Sequence, residues 1–233
     1  MTCEQSLRPI SEPMARIEEA VRSFLANETA EAKAKRQARC DAYDAEQAAE
    51  KARARRGMAC IPSRYTTANV GSVPELQGID LSASMLMLGA QGRGKTYAAC
   101  AVLNRRAAEC VVRFATFDAI LKELQATFNG AGNVEQVLSK YRNCACLAID
   151  DFGKEKPTDY AIGQFFALLD WRIANGKQTI VTSNYSLSQL LERLSLCGER
   201  HTVAAIMSRL GSRDVENGGF QRIVFRAEDR RML

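Results

Sequence analysis

Eight residues constrain this chain more than any others: Gly89, Ala90, Gln91, Gly92, Arg93, Gly94, Lys95 and Thr96. They read as a glycine, four residues, then Gly-Lys-Thr, the pattern of a phosphate-binding P-loop. The apolar run Met85–Leu88 precedes them and a helical pattern, Thr96–Glu109, follows. Each residue type has a physical reason in that setting. Glycines let successive backbone N–H groups turn inward toward phosphate oxygens. The helix start adds the positive end of its dipole. Lys95 supplies a cation for the β and γ phosphates, and Thr96 offers a hydroxyl to Mg²⁺. Residues 89–97, Tyr97 included, are therefore the expected nucleotide-binding stretch, with ATP and Mg²⁺ as ligands.

Short apolar runs recur along the chain at Val111–Phe114, Cys146–Ile149, Thr179–Thr182 and Arg222–Phe225. Helical patterns fill the gaps at Asp118–Phe128, Val134–Tyr141, Thr158–Asn175 and Leu187–Leu196. Strands alternating with helices predict right-handed crossovers and a parallel sheet covered on both faces. The fold class is α/β, a three-layer sandwich around a five-stranded parallel sheet.

Two further strand ends carry chemistry. Leu147, Ala148 and Ile149 run into Asp150 and Asp151, about 55 residues after Lys95. This is a Walker B pattern, with Asp150 expected in the Mg²⁺ shell and Asp151 expected to orient the attacking water. Neighbouring strands are expected to bring it to the P-loop, at the carboxyl-end crevice of the sheet. Thr179–Thr182 ends in Ser183 and Asn184, and Asn184 reads either as a γ-phosphate sensor or as part of a helix start, with Ser186 the better cap. Arg200 and Arg209 lie in a segment of small apolar residues. On composition alone they read as surface charges.

The first 60 residues follow a different grammar. From Pro13 to Gly57 there is no intervening glycine or proline, and strong helix formers dominate. Met14, Ile17, Val21, Phe24 and Leu25 form an apolar stripe at helical spacing. From Glu31 to Arg56 only Tyr43 is large and apolar, among eight basic and five acidic side chains. That stretch holds most of the chain's net charge of +5. It reads as a solvated helix or as an extended arm that docks on a partner and lies near phosphates. Gly57, Pro62, Gly71, Pro74 and Gly78 read as a linker. The expected division is an arm over 1–60 and an ATPase domain over 61–233, so that deleting 1–56 leaves a folded core.

The eight cysteines lack zinc-knuckle spacing, and the single histidine, His201, is remote from any cysteine cluster. They are expected to be reduced and mostly buried, with Cys144 and Cys146 on one strand face. No apolar run approaches the length of a membrane span. A cytoplasmic protein is expected.

With these residues in place, the chain resembles the DnaC/IstB group of AAA+ ATPases, and within it the DnaC-type replicative helicase loaders. The likeness covers roughly residues 57–233. Gly57, Ile61, Pro62, Arg64 and Tyr65 resemble the group's Gly-Ile-Pro-x-Arg-Phe/Tyr opening. Leu147–Gly153 resembles its Walker B, Asp170–Arg172 its arginine-ended helix, and Thr179–Asn184 its Thr-Ser-Asn sensor. The resemblance implies an AAA+ core and an ATP-dependent homo-oligomer whose site lies between subunits. It implies Arg209 as the arginine finger and, in the Asp229-Arg230-Arg231 run, Arg231 as the sensor-two arginine. It implies a helicase-binding role for the arm and single-stranded DNA in a channel lined by the segment around Lys122, which otherwise reads as an ordinary crossover helix. Two features depart from the group: Asp151 stands where glutamate is usual, and the short stretch after Phe225 implies a reduced lid. Both suit slow turnover. An IstB-type helper that loads a transposase on duplex DNA and an adaptor that binds ATP without hydrolysing it are the competing readings. On any of the three, Lys95→Ala removes the cation of the phosphate cradle. It is expected to abolish ATP binding in isothermal calorimetry; unchanged affinity would reject the site.

Overall fold

The computed structural model describes residues 11–26, 30–130 and 132–226. The chain forms α1 (Ser11–Ala26) and α2 (Ala30–Met58), then β1 (Met85–Leu88), α3 (Lys95–Arg106), β2 (Val112–Thr116), α4 (Phe117–Ala126) and α5 (Val134–Asn143). It continues through β3 (Cys146–Asp150), α6 (Asp159–Ala174), β4 (Gln178–Ser183), α7 (Leu187–Leu194), α8 (Arg200–Gly211) and β5 (Gln221–Val224). The five strands form one parallel sheet in the order β2-β3-β4-β1-β5. No helix among the described residues is long and apolar enough to cross a membrane.

Strand alternation sorts the core into two halves. Leu86, Leu88, Leu147, Ile149 and Val181 face one way, onto apolar residues of α4 to α8. There Phe117, Phe152 and Phe165 pack together, the last two stacked with ring centroids 3.8 Å apart. Met85, Met87, Ala148 and Ile180 face the other way, onto the small residues Ala98–Ala101 of α3. The short side chains of α3 let its backbone lie close to the sheet. Because both faces are covered, β1, β3 and β4 are buried along their whole length, which is why their sequences read as continuous apolar runs.

The strand order corrects one expectation. The P-loop strand β1 and the Asp150 strand β3 are not neighbours; β4 runs between them. The two loops therefore start roughly 10 Å apart, two strand spacings, with the end of β4 in the gap.

The segment expected as a linker is also corrected. Residues 63–76 form three short 3₁₀ turns that bury Ala68, Val73 and Leu76 against the α3 side of the core. The Asn104 amide on α3 donates to the Tyr65 and Ala68 carbonyls, both at 3.0 Å, and binds this segment to the body. Cys144 and Cys146 do not share a strand face. Cys144 follows α5 in extended conformation, outside the strand, and packs with the α4–α8 half, while Cys146 packs with the α3 half.

The chain divides into two compact units between Ala48 and Ala49, earlier than the expected boundary at residue 60. In the first, Met14, Ile17 and Val21 of α1 are exposed, as is Tyr43 of α2. The last turns of α2 belong to the second unit. There Ala52 is buried, Arg55 donates to the Ala108 carbonyl at 2.9 Å, and the fully buried Ala59 accepts a 2.7 Å bond from the Phe114 N–H on edge strand β2. Removing residues 1–48 is therefore expected to leave thermal unfolding of the second unit unchanged. Removing residues 1–60 is expected to cost it roughly 1–3 kcal/mol, through lost apolar burial and the β2 edge bond. Urea melts of the two truncations check this, and equal stabilities would restore the later boundary.

Candidate functional site

The loop after β1 turns where only glycine fits. Gly89 has φ +151, and a Cβ there would meet the Phe225 carbonyl oxygen at 2.5 Å. Gly94 is left-handed, with φ 91, and opens α3. Lys95 and Thr96, the first residues of that helix, are thereby aimed back over the sheet. The buried Lys95 ammonium donates to the Gly89 and Ala90 carbonyls at 2.7 and 2.8 Å and to Asn184 Oδ1 at 2.7 Å. The Thr96 hydroxyl lies 3.1 Å from both oxygens of Asp150.

Asp150 ends β3 in a buried position. Burial pushes its carboxyl above the ordinary aspartate value, and the charge of Asp151 pushes the same way; hydrogen bonds from Thr182 and Thr96 and the charge of Lys95 oppose them. Asp151 has left-handed backbone, φ 59, a conformation that aspartate tolerates better than most residues. Its side chain leaves the strand line, accepts from Asn184 Nδ2 at 3.3 Å, and lies 3.6 Å from the Lys154 ammonium. Asn184 thus joins the P-loop lysine to the second acid through one amide. Ser186 caps α7 in a reciprocal box with Gln189, which leaves Asn184 for the site.

These groups open on a cavity of about 830 Å³. Gln91, Gly92, Gly94, Lys95, Thr96, Asp150, Asp151 and Asn184 line its phosphate end. Pro62, Arg64, Tyr65, Ser72 and Tyr97 line another stretch of wall. The Arg64 guanidinium lies 4.4 Å from the centre of the Tyr65 ring, and Tyr65 meets Tyr97 edge to face. A wall of aromatic rings with a guanidinium and a hydroxyl, beside a phosphate cradle, suits a nucleoside base. The donor set of hydroxyl and carboxylate oxygens, with no sulfur or imidazole, fits a hard divalent cation such as Mg²⁺.

Residue reasoning placed Lys95, Thr96, Asp150, Asp151 and Asn184, and the fold brings them together. It missed Thr182, which bonds to both acids, although the two-residue step from Asn184 along β4 is a legible signal. Arg209 stands elsewhere. It is not among the residues lining the cavity; it pairs with Asp170 and lies over the Phe166 ring. Lys122 is ion-paired to Asp118 on an exposed face of α4. Arg172 cannot stand in for Arg209 at a subunit boundary. It is wholly buried and donates to the Tyr141, Cys144 and Gln178 carbonyls and to the Thr179 hydroxyl. Arg200 is exposed at the start of α8. Arg231 lies outside the described residues.

Comparison with known proteins bears on the family and the fold. The family model described as IstB-like ATP binding protein matches residues 10–214. The chain is 27% identical over 124 residues to the uncharacterized protein YqaM of Bacillus subtilis (strain 168). That match covers 50% of this chain and 39% of the relative, so the chain spans well under half of that relative's length. Among solved structures, the DnaC helicase loader superposes with TM-score 0.54 at 20% identity, over 71% of this chain and 100% of the other. DnaI superposes with TM-score 0.53 at 22% identity, over 70% and 82%. Both likenesses are of fold, the P-loop AAA+ core.

The raised carboxyl of Asp150 has a stability consequence. The folded chain holds this proton to higher pH than the unfolded chain does, so stability is lost as pH rises through that window. Asp150→Asn removes the penalty. It is expected to raise the melting temperature at neutral pH, with the gain fading as pH falls toward the ordinary aspartate range. Differential scanning calorimetry against pH checks both; a gain that grows on acidification would contradict the assignment.

Proposed function

The chain belongs to the IstB-like ATP-binding family, and from that premise we propose that it is a slow ATPase that loads a replicative DNA helicase onto single-stranded DNA. The observation that carries the ATPase reading is the single hydrogen-bonded chain from Lys95 through Asn184 to Asp151, beside the Thr96–Asp150 pair.

In this reading the loop amides of residues 89–96 and the Lys95 ammonium hold the β and γ phosphates. Thr96 and Asp150 would hold Mg²⁺, which would offset the charge that develops on the phosphate oxygens. Asp151 orients the water and accepts its proton. Asn184 shares the Lys95 ammonium, so it registers whether a γ-phosphate draws that cation away. Pro62, Tyr65 and Tyr97 take the base. Asp151 is one carbon shorter than the usual glutamate, and its carboxylate is tied to Asn184 and Lys154. Both features limit its reach toward the water, which accounts for slow turnover.

The helicase assignment draws on the fold shared with a chain described as a helicase loader and on the exposed apolar stripe of α1. The matching family is equally compatible with a second reading, an IstB-type helper of a transposase on duplex DNA. The chain is expected to capture a replicative helicase in a pulldown and to hydrolyse ATP faster with single-stranded DNA. Capture of transposase alone would select the second reading, and no hydrolysis under any condition would leave an ATP-binding adaptor.

We place Arg209 across the interface of an ATP-dependent homo-oligomer, released from Asp170 on assembly. Arg209→Ala is expected to bind ATP nearly normally and to lose hydrolysis by on the order of a thousandfold. Mixing it with Asp151→Asn should restore part of the activity, because some mixed interfaces pair an intact site with an intact arginine. No recovery in a mixture that co-assembles, by steady-state ATPase and light scattering, would remove Arg209 from the site.

A further inference from the structure

The end of β4 fills the gap between the P-loop strand and the Walker B strand, and one of its hydroxyls touches both acids. Thr182 is wholly buried. Its Oγ1 donates to Asp150 Oδ1 at 2.6 Å and accepts the Asp151 backbone N–H at 3.0 Å. A hydroxyl has one proton to give. Asp151 N–H can only donate, so the Thr182 proton must point at Asp150. This orientation satisfies all three groups at once and leaves no second arrangement.

The surroundings sharpen the assignment. Asp151 holds left-handed backbone, which is disfavoured for a residue with a Cβ unless its neighbours fix it. Here the Phe152 N–H donates to the Thr182 carbonyl at 2.9 Å, and the Ser183 hydroxyl donates to the Phe152 carbonyl at 2.7 Å. The corner is therefore bonded to β4 on both sides of Thr182 Oγ1. Asp150 in turn meets two hydroxyls, Thr96 on α3 and Thr182 on β4. Thr182 fixes the inner side of that carboxylate, and Thr96 meets it from the side of the P-loop helix.

We infer that Thr182 is a positioning residue that, through a single hydroxyl, sets the metal-side carboxylate of Asp150 and the backbone corner from which the Asp151 side chain leaves the strand. It touches neither nucleotide nor water in this scheme and acts only through the two acids. The inference rests on the ATPase reading above for its kinetic consequence, but not for its geometry.

Thr182→Val keeps the shape and removes both bonds, whereas Thr182→Ser keeps both bonds and removes a methyl. The valine variant is expected to bind a fluorescent ATP analogue without Mg²⁺ as the wild type does. It should need several-fold more Mg²⁺ for half-maximal metal-dependent binding and lose kcat by on the order of a hundredfold. The serine variant should restore both. Thr182→Ala, measured the same way, serves if the valine variant is insoluble. A valine variant with wild-type kcat and Mg²⁺ dependence overturns the inference, as does a serine variant as defective as valine. A fall in melting temperature alone, without either change, also overturns it, since that is what a purely structural threonine gives. If the wild type hydrolyses nothing, the ATPase reading falls, and the Mg²⁺ titration of the three variants still decides the role of Thr182.

Discussion

β4 runs between β1 and β3, and its backbone bonds to both hold the P-loop and the Walker B corner two strand spacings apart. The polar residues at the end of β4 close that separation: Asn184 reaches Lys95 on one side and Asp151 on the other, and Thr182 reaches Asp150 and the Asp151 backbone. Because the strand is buried on both faces, each of these polar groups must be satisfied by another group of the site. The hydrogen bonds that satisfy them also position the carboxylates.

The same requirement explains the one fully buried arginine among the described residues. Arg172 ends α6 under the start of β4, where the loop after α5 leaves carbonyls with no strand partner. Its guanidinium donates to carbonyls of Tyr141, Cys144 and Gln178, and burial lowers its pKa against that stabilisation. A planar group with five donors suits such a cluster, which a lysine could not serve. It fixes the base of β4 while the P-loop and Walker B residues fix the top. An arginine in this position is therefore a structural clamp, whereas Arg209 on α8 is partly exposed and paired with Asp170.

The amino-terminal unit obeys different physics. α2 carries mostly alanine and charged residues and no apolar face, so its helicity comes from propensity and not from packing. In α1, Met14, Ile17 and Val21 are exposed. Ala52, in the second unit, is the first described α2 side chain to be buried.

Much of this molecule was decided locally and was therefore legible in the chain. The P-loop, the Walker B acids, the five strands and the change of grammar after residue 60 depend on neighbours in sequence: glycine spacing, apolar runs and helix propensity. Lys95, Thr96, Asp150, Asp151 and Asn184 were readable because each sits at the end of a strand or the start of a helix. What remained hidden depends on which strand lies beside which. The interposition of β4, the role of Thr182, the burial of Arg172 and the pairing of Arg209 with Asp170 join residues some 30 to 40 positions apart. No periodicity encodes such pairings; they follow from the strand order that buries both faces of the sheet. The 3₁₀ segment over 63–76 misled for the same reason. Its prolines and glycines signal turns, and only the tertiary structure shows that those turns are packed on α3 as a wall of the cavity.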